Sequence, residues 1–220
     1  MKNLIFLLSC LLFLICTSCQ KKVADAVSIS ESDMTQEEAK TSYQSEIDTW
    51  QKEEMETYIE AFNVFEEKTF SKADFTFYTV SDSYKVPATV TLTPDTEIFE
   101  MKTSGTRTPR YREYGSIVFV LSGQQQSLTL YQNIDMMDHP EYGDYLFCPF
   151  YDETNGDSTY GGGRYLDFKI PEGEKITVDF NKCYNPYCAY LDKFNCPITP
   201  IKNTITVPVE AGMQLSDHSH

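Results

Sequence analysis

The chain has 220 residues, with 33 acidic against 18 basic side chains and a formal net charge of −15. A surface this acidic repels polyphosphate, which excludes nucleic acid as an expected partner, and it repels anionic lipid as well. The length and a hydrophobic fraction of 41% suffice for one domain with a sizeable core, and the acidity is accounted for by solubility.

Lys2 is followed by an apolar run, Leu4 to Cys16, and then by Thr17-Ser18-Cys19. A charged start, a short apolar stretch and small residues predict a secretory signal over residues 1–19, too short to span a bilayer. Ser18-Cys19 resembles the end of a bacterial lipoprotein signal, with Cys19 as the lipid-bearing residue. Cys16 stands where such signals prefer Leu. The expectation is an exported protein, lipid-anchored at the bacterial cell envelope and facing the periplasm or the cell surface. Acyl chains at ~0.8 kcal/mol per buried methylene would supply the membrane attachment.

Residues 20–34 are polar and lack a periodic apolar face, which predicts a flexible tether of ~20 Å. A single β-rich domain is expected over 35–215, with a polar tail at 216–220. Thr35-Gln36-Glu37-Glu38 matches a capping box. Behind it Tyr43, Ile47, Trp50, Tyr58, Phe62 and Phe65 recur at helical intervals, predicting one amphipathic helix from about 36 to 60 that lays its stripe on a sheet.

After Thr69 the period becomes two. FTFYTV, ATVTLT, EIFEMK, SIVFVL, SLTLYQ, YLFCPF, KITVDF and TITVPV are short, rich in β-branched and aromatic residues, and separated by turn residues. Ser122-Gly123-Gln124 and Pro171-Glu172-Gly173 read as hairpin turns. The expected fold is mainly β, an antiparallel β-sandwich or barrel of about eight or nine strands with one N-terminal amphipathic helix.

Gly, Asn, Pro, Cys and Tyr are concentrated between Tyr145 and Pro200. Here the strings Pro149-Phe150-x-Asp152-x-Thr154, Thr159-Tyr160-Gly161-x-Gly163-Arg164-Tyr165-Leu166-Asp167 and Asn185-Pro186-x-Cys188-Ala189-Tyr190, with Cys196-Pro197, occur in order. Together with the Trp50-Gln51 helix ahead of them, they resemble the DUF1684 family of bacterial and archaeal proteins. The resemblance covers most of residues 40–213. It implies co-occurring residues but no mechanism, because the family has no established activity. Cys148 and Cys183 depart from its common pattern.

The usual catalytic signatures are absent. The histidines are His139, His218 and His220, and His139 precedes Pro140 in a loop without metal-ligand spacing. That leaves no basis for a Ser-His-Asp triad or a histidine zinc site. Gly161-Gly162-Gly163 opens no recognisable helix and lacks a following Gly-Lys-Ser/Thr, so a phosphate cradle is not expected. Asp152 to Asp157 offers oxygen ligands but misses the calcium-loop spacing. Neither a metal nor a cofactor is expected.

Cys188 and Cys196, with seven residues between them, are read first as a disulfide closing a small loop; free thiols, or a metal or catalytic role, are the alternatives. Arg164 follows three glycines, where a fixed guanidinium would grip a carboxylate or phosphate, or tie loops together through Asp152 or Asp167. Asp179, Asn181 and Asn185 sit at strand ends and turns. Tyr160 and its neighbouring tyrosines offer flat apolar faces with polar tips. The ligand-binding candidates are therefore Asp152, Tyr160, Arg164, Asp179, Asn181 and Asn185.

These features point to a membrane-anchored binding or envelope-structural module whose ligand is a small molecule, a glycan or a peptide. The alternative is an enzyme of unknown class, with a hydrolase as the first candidate, using Asp152, Arg164 and Asn185 in a loop cleft.

Overall fold

A computed structural model of the protein describes residues 31–65 and 69–216. The expected signal, its Cys19, most of the tether and residues 217–220 of the tail lie outside the described residues. The chain divides into two compact units, Met1–Thr41 and Ser42–His220. In the first, the described residues are helical from Glu31 onward, so Thr35 lies inside the helix and does not cap it.

Helix α1 spans Glu31–Asn63. Within the second unit its stripe is buried at Ile47, Tyr58 and Phe62, each 0% exposed. The stripe was expected to lie on a sheet. Tyr58 and Phe62 instead pack in one aromatic cluster with Phe70, Phe75, Ala189, Tyr190 and Met213, all from segments outside the strands. Edge-on ring contacts dominate, such as Tyr58–Tyr187 at 4.6 Å and Tyr58–Phe75 at 5.4 Å between centroids. The Tyr58 hydroxyl donates to the backbone oxygen of Asn185, which anchors the helix to that loop.

The strands are β1 (Lys85–Leu92), β2 (Phe99–Glu100), β3 (Arg110–Leu121), β4 (Gln124–Asn133), β5 (Tyr145–Phe150), β6 (Arg164–Lys169) and β7 (Lys175–Asp179). They form one antiparallel sheet of seven strands in the order β6-β5-β4-β3-β1-β7, with β2 beside β3. Ser122 (φ 50°) and Gly123 (φ 75°) are the two central residues of the β3–β4 hairpin, which pairs Leu121 with Gln124. Positive φ at both positions marks the type I′ turn that suits the twist of paired strands. Pro171-Glu172-Gly173 turns the chain between β6 and β7, but the two strands stand at opposite edges of the sheet, so this turn closes no hairpin.

Five strand spacings of ~4.8 Å would separate β6 from β7 by ~24 Å in a flat sheet. Residues of both strands nevertheless line one cleft, and Leu166, Phe168 and Val178 share one core cluster. The sheet is therefore curled into an open half-barrel. Among the described residues no ladder joins β6 to β7, so the expected sandwich or closed barrel of eight or nine strands is not formed.

Two of the eight expected strands are replaced by irregular chain. TITVPV keeps its alternation, burying Ile205, Val207, Val209 and Ala211 in the main core, yet makes only one bridge, Tyr151 with Thr204. Pro208 brings no N–H to a ladder. FTFYTV makes one bridge as well, Phe77 with Met213. The C-terminal segment thus plugs the curl, filling the core without extending the sheet. Strand β6, RYLDFK, is not among the expected strands and pairs along its whole length with β5.

Candidate functional site

Arg164 is the first residue of β6, and its guanidinium is sealed in the core at 0% exposure. Nη1 donates to Ala211 O (2.6 Å) and Met213 O (3.2 Å); Nη2 donates to Val209 O (2.7 Å) and Asp152 Oδ2 (2.9 Å). Asp152 Oδ1 accepts from Thr154 N (2.9 Å), Thr154 Oγ1 (2.6 Å) and Val209 N (3.1 Å). Every oxygen of this carboxylate is engaged by protein donors, and no face of the ion pair meets solvent.

Asn185 is likewise 0% exposed, and its Nδ2 donates to Tyr190 Oη (3.0 Å) and Gln214 O (3.0 Å). The expected loop cleft built on Asp152, Arg164 and Asn185 therefore does not exist. The three side chains secure the C-terminal segment, and only the first two touch. Burial without solvent is the physical reason: a buried guanidinium needs acceptors, and here the backbone oxygens of Val209, Ala211 and Met213 and the Asp152 carboxylate engage both terminal nitrogens, while Nε has no acceptor.

Asp179 and Asn181 do come together. Both Asp179 oxygens accept from the Tyr43 hydroxyl at 2.9 Å, and Asn181 Nδ2 donates to Asp179 Oδ1 (3.0 Å), to Tyr43 Oη (2.9 Å) and to Ser81 O (2.9 Å). Asn181 is buried, and Asp179 stands at the end of an open cleft. Tyr160 is partly buried beside Cys188. All four C-terminal cysteines, Cys148, Cys183, Cys188 and Cys196, are free thiols, so the expected disulfide between the last two is replaced by hydrogen bonding: Cys188 N donates to Cys196 Sγ at 3.2 Å.

The cleft has a volume of about 600 Å³ and lies between α1 and the two edge strands β6 and β7. That size suits a small-molecule ligand. One wall carries Trp50 and Glu54 of α1; the other carries Asp167 and Phe168 of β6 with Tyr184. Because the sheet curls, strands from its opposite edges meet the same helix here.

Two carboxyls define the chemistry. Asp167 faces away from the core on β6, and solvent reaches it through the cleft. It accepts from Tyr184 Oη at 2.7 Å and from Tyr145, which favour its charged form, yet crowding by the surrounding chain outweighs them and raises its pKa. Glu54 is partly buried, and burial together with the nearby Asp167 charge holds its carboxyl up to about 7. No basic side chain pairs with either carboxyl among the described residues. The three lysines that line the cleft are engaged elsewhere, Lys182 with Glu46 at 2.6 Å, Lys169 with Asp144 at 2.7 Å and Lys85 over the Tyr43 ring at 4.0 Å from its centroid.

Sequence reasoning missed Trp50, Glu54, Asp167 and Tyr184 as a group. One signal was readable: Glu54 sits four residues after Trp50 and four before Tyr58, inside the apolar stripe, where a charge has to be explained. Asp167 carried no such signal, since β6 itself went unrecognised. Among the described residues no group of three or more His, Cys, Asp and Glu side chains is arranged to hold a metal ion.

The fold and cleft thus define a mainly-β protein whose curled antiparallel sheet and flanking helix enclose an acidic, aromatic-walled recess. Residues 68–214 match the family described as protein of unknown function (DUF1684), and the chain belongs to that family. It is also similar to the solution NMR structure of an uncharacterized protein of Haloarcula marismortui, at 29% identity and a TM-score of 0.57, covering 83% of this chain and 97% of the other. Among curated proteins, none matches the chain.

Proposed function

We propose that this protein is an exported, lipid-anchored binding module, held to the membrane through Cys19, whose ligand site is the cleft between α1 and strands β6 and β7. Its ligand is a small molecule carrying a cationic group and an apolar or aromatic body. One observation carries this reading: Glu54 and Asp167 face one recess without a basic partner, beside the rings of Trp50 and Tyr184. A bound cation relieves the repulsion between the two carboxyls, and the rings attract it through their negative faces.

Trp50 is the one tryptophan of the chain and lines the cleft, so its emission reports occupancy directly. Titration with amine-bearing, neutral and carboxylate-bearing small molecules should change the emission for the amines only, and Glu54→Gln should weaken that response about tenfold or more. Preferential binding of the carboxylates, or an unchanged response in the variant, would overturn the ligand class. For the anchor, Cys19→Ser should move the protein from the membrane to the soluble fraction.

The enzyme reading based on Asp152, Arg164 and Asn185 finds no support in their geometry. A second reading rests on Glu54 alone, whose carboxyl, held up to about 7, is suited to exchange protons near neutrality. It requires turnover of a cleft ligand with a pH limb near 7 that Glu54→Gln removes.

A further inference from the structure

Cys188 and Cys196 lie outside the cleft. Cys188 belongs to a single 3-10 turn, Tyr187–Ala189, and is half-buried; Cys196 is 8% exposed. One hydrogen bond joins the two residues directly, and Ser104 holds the Cys196 backbone through two more. Cys188 N donates to Cys196 Sγ at 3.2 Å, Cys196 N donates to Ser104 Oγ at 3.1 Å, and Ser104 N donates to Cys196 O at 2.8 Å.

The Cys188 sulfur has three side-chain donors around it: the Cys196 thiol and the hydroxyls of Ser104 and Tyr160. The Ser104 hydroxyl has a second acceptor in reach, Phe194 O at 2.9 Å, so it can turn toward the sulfur or away from it. Donors around a sulfur stabilise its thiolate, which is the nucleophilic form. Cys148 and Cys183 are fully buried instead, and burial pushes both thiols up, Cys183 to about 11. They are the inert pair.

We propose that Cys188 and Cys196 form a reactive dithiol that exchanges with disulfide-bearing partners, with Cys188 as the attacking sulfur and Cys196 as the resolving one. The Cys188 thiolate attacks one sulfur of a partner disulfide, forming a mixed disulfide and releasing the other partner sulfur as a thiolate. Cys196 then loses its proton to solvent or to the released thiolate and attacks the Cys188 sulfur. The Cys188–Cys196 bond forms, the second partner thiolate leaves, and two electrons have passed from the dithiol to the partner. The asymmetry of the pair supports the order. Cys188 is half-buried whereas Cys196 is 8% exposed, so an incoming disulfide reaches Cys188 first, and the contact between the two thiols favours one thiolate at the expense of the other. Tyr160 is the phenol facing the attacking sulfur, with the Asp192 charge near it.

The test uses the reduced full chain and the aromatic disulfide 5,5′-dithiobis(2-nitrobenzoate) under native conditions, with peptide mass mapping to separate these residues from the cysteines of the leader. The expected result for the wild type is a Cys188–Cys196 disulfide with two thionitrobenzoates released from the pair and none retained, while Cys148 and Cys183 stay reduced. Cys196→Ser should release one and keep one on Cys188; Cys188→Ser should react at least about tenfold more slowly at this pair. Excess reduced glutathione should reopen the wild-type bond. Wild-type protein that retains label on Cys188, or that forms a bond glutathione cannot reopen, overturns the proposal, the latter in favour of a fixed staple. Wild-type stoichiometry and mapping decide the matter even where a variant fails to fold.

Discussion

Arg164 Nη2 donates to Asp152 Oδ2 at 2.9 Å with both side chains at 0% exposure, and the same guanidinium holds the backbone oxygens of Val209, Ala211 and Met213. One planar group therefore joins the start of β6 to the segment that plugs the half-barrel. A buried pair of this kind is costly to break, because the surviving charge has no solvent to turn to.

Arg164→Ala should cost about 3–5 kcal/mol in urea unfolding, and Asp152→Ala a similar amount. Arg164→Lys keeps the charge but cannot present two forked nitrogens to four acceptors, so a loss of about 2 kcal/mol or more is expected. Unchanged stability with lost ligand binding would show that these residues serve a ligand instead.

Glu54 sets a pH dependence. Its folded-state carboxyl is held up to about 7 against an ordinary 4.5, so the folded protein binds this proton more tightly than the unfolded chain does. The associated stabilisation is complete below about pH 4.5 and is lost as pH rises from there to about 7. Asp167, also raised, acts in the same direction. Denaturation midpoints measured across this window should fall by the equivalent of about 1–3 kcal/mol, and Glu54→Gln should flatten the slope. Affinity for cationic ligands should move the opposite way, rising as Glu54 ionises.

Two glycines with positive φ separate strain from collision. At Gly123 (φ +75°) an added Cβ meets nothing within 4 Å, so Gly123→Ala carries only the left-handed backbone cost of about 1–2 kcal/mol. At Gly212 (φ +71°) it meets the Cys183 oxygen and sulfur, each at 2.5 Å. Gly212→Ala should be the more destabilising by at least about 1–2 kcal/mol in the same unfolding assay, since overpacking adds to the strain.

Removing the ring of Phe62 should test what holds the helix to the loops. It meets Phe70 at 4.8 Å, Tyr187 at 5.3 Å and Phe194 at 5.4 Å. Phe62→Ala should cost about 3–5 kcal/mol. Tyr58→Phe keeps the ring and loses only the hydrogen bond to Asn185 O, for about 1 kcal/mol. Circular dichroism and urea midpoints distinguish the two.

Local pattern determined much of this protein. The period-3.6 stripe of Tyr43, Ile47, Tyr58 and Phe62 marked the helix, the period-2 runs marked β1, β3, β4, β5 and β7, and Ser122-Gly123 marked the tight hairpin. These features rest on interactions between residues near in the chain, which spacing alone records. The family strings were legible too, and most of their polar members fold inward: Asp152, Thr154, Thr159, Arg164 and Asn185 are buried.

Tertiary structure decided the rest. An extended segment becomes a strand only where a neighbour offers a ladder, so TITVPV and FTFYTV stayed single while RYLDFK paired with β5. A polar side chain serves a site or a core according to what surrounds it: Arg164 met backbone oxygens and was sealed in, whereas Glu54 met another carboxyl and an open recess. The curl that brings the opposite edges of the sheet to one helix depends on contacts between residues more than a hundred positions apart, such as Tyr43 with Asp179. Spacing within a sequence carries no record of such contacts, which is why the cleft became visible only in the fold.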